Sequence, residues 1–112
     1  MSPTDNYVRR ARLVDVLDGD TYRLDIDCGF DVWRRGDVRL RGLDTPELST
    51  ERGQLARACA MALLVGTAAD VVVQTLRTKT GTDVRSFVRY VADVWVNGTP
   101  IAETLRAAGH VK

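Results

Sequence analysis

The chain has 112 residues, enough for one domain spanning 1–112 and too few for two, and 45% of them are hydrophobic, so a core can form without disulfide or metal staples. Its 16 basic and 15 acidic residues leave a net charge of +1, which excludes the broad basic excess of a general nucleic-acid binder. Any nucleic-acid contact must come from a local cluster or a metal bridge, and no stretch is long and apolar enough for a membrane span.

Arg12 to Leu17 reads as a strand running into the turn Asp18-Gly19, where glycine would supply a positive φ. Asp20 to Asp27 alternates, with Thr21, Arg23, Asp25 and Asp27 on one face and Tyr22, Leu24 and Ile26 on the other. After Cys28-Gly29, Val32 to Leu43 forms a third strand, with Val38 and Leu40 opposite Arg39 and Arg41. Thr45-Pro46 breaks the sheet. Ser49 or Thr50 caps a helix along which Leu55, Cys59, Ala62 and Leu63 follow at helical spacing and which Gly66 ends.

Asp70 to Arg77 is the fourth strand and Thr78 to Asp83 a polar loop. Val84 to Val96 is the fifth strand, stopped by Asn97-Gly98. Thr99 caps a last helix with Pro100 at its first position, Leu105 and Ala108 inward and Gly109 at its end. The order β-β-β-α-β-β-α fits a five-stranded Greek-key barrel, the OB-fold, a β-barrel with helices.

Two acidic turns stand out. Asp18-Gly19-Asp20-Thr21 and Leu43-Asp44-Thr45-Pro46-Glu47 are each ordinary turn sequences taken alone. Together they can bring Asp20 and Asp44 to one mouth of a barrel. Carboxylates so gathered repel unless a cation lies between them, and a hard divalent ion wants such oxygens. Glu47, three residues beyond Asp44, is within reach of a water and can serve as general base. Attack on a phosphodiester builds negative charge that fixed cations stabilise. Arg39 or Arg41, and Arg89 or Arg85, are the candidates, and alternation does not choose within either pair.

With these residues in view, the chain resembles the staphylococcal nuclease-like, or thermonuclease, family. The resemblance rests on Val16-Leu17-Asp18-Gly19-Asp20-Thr21, on Val38 to Glu47, on Arg89 to Gly98, and on Ile101-Ala102-Glu103-Thr104-Leu105 with Ala107-Ala108-Gly109. It implies an OB-barrel and calcium-dependent cleavage of DNA or RNA to 3′-phosphate ends. It implies calcium on Asp20, Asp44 and the Thr45 carbonyl, Glu47 on the attacking water, and Arg39 and Arg89 on the phosphate. Phe87 is placed to stack on a base, where the family commonly has a tyrosine.

Departures thin the grip on substrate. Ser86-Phe87-Val88 precedes Arg89 where lysine, tyrosine and glycine are common, and the family's final helix has no counterpart. The segment from Asp27 to Val38 is longer than in the secreted archetype. The alternative expectation is therefore a non-catalytic or weakly active OB-module that binds nucleic acid or protein. Cys28 and Cys59 form neither a CxxC pair nor, with His110, a zinc set, and read as free thiols in a reducing compartment. No apolar leader precedes Arg9, Arg10 and Arg12, so the expected location is the cytoplasm, with a bacterial or phage source and a monomer or homodimer.

Overall fold

A computed structural model of the chain describes residues 7–65, 70–75 and 89–112. Six strands and two helices follow in the order β1 (Val8–Asp18), β2 (Thr21–Asp27), β3 (Trp33–Leu40), α1 (Glu51–Leu64), β4 (Val71–Thr75), β5 (Arg89–Val96), β6 (Thr99–Pro100) and α2 (Ile101–Ala107). Strand β1 pairs antiparallel with β2 on one side and β4 on the other, β2 with β3, and β4 with β5. A parallel pairing of β3 with β5 closes these five strands into a barrel. Closure removes exposed sheet edges.

β1 starts at Val8, four residues before the sequence pattern suggested. Its first residues, Val8 to Ala11, pair with β4, and the stretch from Ala11 onward pairs with β2. Register shifts at Leu13/Asp15 and Val16/Asp18 bend the strand so that it can serve both neighbours. β3 is shorter than expected, ending at Leu40. The alternation in β2 and β3 holds: Tyr22, Leu24, Ile26, Val38 and Leu40 are buried.

The large apolar residues of α1 do not all face inward. Gly53, Ala56, Ala60 and Leu64 are buried, whereas Leu55 is exposed and Cys59 half-buried. The reason is close approach. A Cβ on Gly53 would stand 1.8 Å from the Glu47 carbonyl oxygen, and one on Gly19 would stand 2.9 Å from the Ala56 Cβ. Only small residues let the helix lie this near the two acidic turns. Gly19 itself does not have a positive φ. It is glycine for lack of space, since Thr45 Oγ1 would lie 2.8 Å from its added Cβ.

The helix caps differ in one respect from expectation. Thr50 caps α1, its hydroxyl accepting from Gly53 N–H at 3.0 Å. Thr99 and Pro100 instead pair with Val96 and Trp95 as β6, so α2 begins at Ile101. Ile101 and Leu105 enter the core, Ala108 is exposed, and Gly109, with φ +83°, ends the helix. The core unites Val16, Tyr22, Leu24, Val38, Leu40, Val73 and Val94 of the barrel with Leu64, Ile101 and Leu105 of the helices.

Two hairpin tips contrast. Asn97-Gly98 joins β5 to β6 with φ +52° and +84°, the residue types that tolerate this region. At the β2–β3 tip, Gly29, Phe30 and Asp31 all have positive φ, and Val32 N–H donates to the Gly29 carbonyl at 2.9 Å. A left-handed backbone costs an L-residue roughly 1–2 kcal/mol, and a bulky residue such as phenylalanine is uncommon there.

Candidate active site

The site lies where β1 hands over to β2, at the mouth of the barrel reached by the end of β3. Asp20 is 7% exposed, and both its carboxylate oxygens are engaged. The Thr21 hydroxyl donates to Oδ1 at 3.1 Å, and the Thr45 backbone N–H donates to Oδ2 at 3.1 Å. Thr45 is buried because it fills the space Gly19 leaves. The Asp18 carboxylate in turn accepts from the Asp20 N–H at 3.1 Å.

These two acids share an environment, but their carboxyls shift in opposite directions. Burial raises the Asp18 carboxyl, and the hydrogen bond and charge of Asp20 raise it further. Burial pushes Asp20 up too, but hydrogen bonding from Asp18, the Thr45 N–H and Thr21, with the Arg39 charge, brings it below its ordinary value. A proton therefore goes to Asp18 first and leaves Asp20 ionised.

Arg39 lies between two carboxylates. Its guanidinium pairs with Asp44 Oδ1, and Nη2 lies 3.9 Å from Asp20 Oδ2. Arg41, its rival on the sequence pattern, turns to Asp93 with contacts of 3.0 and 3.3 Å. Asp44 is anchored through its backbone, its carbonyl accepting from Lys112 N–H at 2.8 Å. The structure thus brings Asp20, Arg39, Asp44 and Thr45 together.

Among the described residues, Glu47 is held by its backbone. Its carbonyl accepts from the Thr50 N–H at 2.9 Å and the Thr50 hydroxyl at 2.6 Å, and its side chain is exposed. Residues 76–88, including Arg85, Ser86, Phe87 and Val88, lie outside the described residues, as does the Arg89 side chain. The Arg89 backbone pairs with Asp37, two residues before Arg39 on the adjacent parallel strand.

Sequence reasoning missed the part played by Tyr22. It is fully buried, and its hydroxyl donates to the Gly19 carbonyl at 2.7 Å, tying the acidic turn to the core. Burial raises its pKa far above the ordinary phenol value, with Asp20 and Asp18 adding to it. An alternating strand shows that a tyrosine points inward, not what its hydroxyl meets.

Among the described residues, no three His, Cys, Asp or Glu side chains gather as a metal cluster. Asp20 and Asp44 nonetheless share a single guanidinium, so one position already carries cationic charge between two hard oxygen donors. That donor chemistry fits a hard cation completed by a backbone carbonyl and waters. No helix of the described residues is long and apolar enough to cross a membrane.

No family model matches the chain. Two rice (Oryza sativa subsp. japonica) proteins described as probable staphylococcal-like nucleases, CAN2 and CAN3, are each 30% identical to it over 107 residues, 94% of its length. The chain spans 27% and 26% of those relatives, about a quarter of each. With a five-stranded OB barrel and two helices carrying the motifs in order, the chain resembles the staphylococcal-like nucleases along 94% of its length.

Proposed function

We propose that this domain hydrolyses phosphodiester bonds in DNA or RNA with calcium as its cofactor, leaving 3′-phosphate ends. The observation that carries the reading is the Arg39 guanidinium drawn between Asp20 and Asp44. Two fixed carboxylates meet one cation at the mouth of the barrel, beside an exposed glutamate. The names of the two rice relatives support the same reaction class.

Asp20, Asp44 and the Thr45 carbonyl would hold calcium. When bound, it supplies positive charge that polarises a phosphate oxygen and acidifies a water. The residues of the chain do the rest. Arg39 carries a planar fork suited to donate two hydrogen bonds to the phosphate. The charge it meets grows as the attacking oxygen adds to phosphorus, so the contact favours the transition state over the ground state. Glu47, exposed and carried on a clamped backbone, takes the proton from the attacking water. Arg89, approaching from the strand beside β3, supplies the second cation. Phe87 is assigned to a base by stacking.

The test is digestion of plasmid and single-stranded DNA and of RNA with calcium or with chelator, followed by end-group analysis. Calcium-dependent cleavage with 3′-phosphate ends is expected. Absence of cleavage at every calcium concentration, with folded protein, overturns the reading and favours a binding module.

A further inference from the structure

The β2–β3 hairpin carries a feature that the site does not use. Phe30 is 100% exposed and has φ +55°, next to Asp31 at +61°. The fold gains nothing from this side chain, and its backbone is unfavourable for any L-residue. Val32 is also exposed, and Trp33, 38% exposed, opens β3. The Arg12 guanidinium lies over the Trp33 ring, 3.7 Å from its centroid. Arg10 and Arg35 lie at the same end of the sheet, and Asp25 pairs with Arg35 through contacts of 2.9 and 3.2 Å.

The geometry points to a second contact site, for single-stranded nucleic acid, with Phe30 and Trp33 as stacking platforms and the neighbouring arginines on the backbone phosphates. It rests on the nucleic-acid reading above and adds where the strand runs. Trp33, Arg35, Asp37 and Arg39 occupy alternate positions of β3 and share its outer face. Six residues of strand separate Trp33 from Arg39, roughly 20 Å at about 3.3 Å per residue. A strand lying along this face would meet the catalytic end at Arg39 and the aromatic end at Trp33, within the span one OB-fold covers.

Charge and chemistry favour this occupant. An exposed aromatic beside an arginine that lies over another aromatic offers faces to bases and forks to phosphates. A lipid surface would have to bury Asp31 next to Phe30, whereas a stacked base leaves that carboxylate in water.

The test uses fluorescence anisotropy of a labelled 12-nucleotide single strand in chelator, where no cleavage intervenes. Phe30→Gly is the decisive variant, because glycine suits a positive φ and the side chain packs on nothing. It should melt at the same or a higher temperature and bind about fivefold to a hundredfold more weakly. In a Trp95→Phe background, the oligonucleotide should quench Trp33 fluorescence with the same Kd. Unchanged affinity in Phe30→Gly, or no quenching of Trp33, overturns the proposal and leaves the nuclease reading standing. So does a loss confined to adsorption on anionic vesicles. Weakened binding in a protein that never cleaves with calcium overturns the nuclease reading and leaves this one standing.

Discussion

The backbone N–H of Thr45 donates to the Asp20 carboxylate at 3.1 Å across 25 positions of sequence. That single bond joins the two acidic turns, and it requires Gly19 to lack a side chain so that Thr45 can enter. The site is therefore a packing product as much as a set of acids.

Arg39 and Arg41 should divide cleanly. Arg39→Ala should slow cleavage about a hundredfold or more, as removal of a fixed transition-state donor does. It should also tighten calcium, because a cation beside both carboxylates is gone; about 1 kcal/mol, or roughly fivefold, is expected for an exposed charge near 4 Å. Arg39→Lys should not restore the rate, since the fork is lost. Arg41→Ala breaks only an exposed pair with Asp93 and should change stability by less than about 1 kcal/mol. Calcium titration by calorimetry and cleavage kinetics check the two Arg39 variants, and denaturant unfolding checks Arg41→Ala.

Glu47→Gln tests the base. Its side chain contributes nothing to packing, so the thermal midpoint should stay within a degree or two of wild type, roughly the reach of surface changes. The cleavage rate should fall by about 10²–10⁴ with calcium affinity nearly unchanged. Retained cleavage would remove the glutamate from the reaction.

Gly53→Ala should destabilise, although glycine to alanine inside a helix ordinarily stabilises by about 1 kcal/mol. The added Cβ would stand 1.8 Å from the Glu47 carbonyl oxygen, so backbone must move. A loss of about 1–3 kcal/mol is expected in denaturant unfolding. Because the loop that must yield carries Glu47, cleavage should fall along with stability.

Tyr22→Phe keeps the apolar volume and removes one hydroxyl. The Gly19 carbonyl loses its donor in a buried turn, which costs about 1–3 kcal/mol. Chemical denaturation checks the magnitude.

The Asp25–Arg35 pair gives a pH signature. The Arg35 hydrogen bond is the main reason the Asp25 carboxyl lies below its ordinary value of 3.8. Its stabilising contribution is present above that value and is lost as pH falls through the lower folded one. Arg35→Ala should move the Asp25 midpoint up toward the ordinary value in an NMR titration, and an unmoved midpoint would refute the assignment.

Much of this was legible in the chain itself. Period-two alternation identified the buried faces of β2 and β3, because each residue advance in a strand flips the side chain. Asn97-Gly98 marks the end of β5, because few residues accept positive φ, but the return of Thr99 and Pro100 as β6 is not legible locally. Short-range motifs also set Asp20, Asp44 and Glu47 apart from the other acids. Alternation could not choose Arg39 over Arg41, since both face the same way; the choice depends on Asp93 arriving from β5 to take Arg41. The inward face of α1 was not legible, because large apolar residues usually mark the core side. Here the helix approaches the turns so closely that only small residues, Gly53 and Ala56, fit against them. Local sequence determined which segments are strands, turns and acids, since those depend on neighbours along the chain. Tertiary structure alone decided which charges meet and which faces touch, since those depend on distances between residues far apart in sequence.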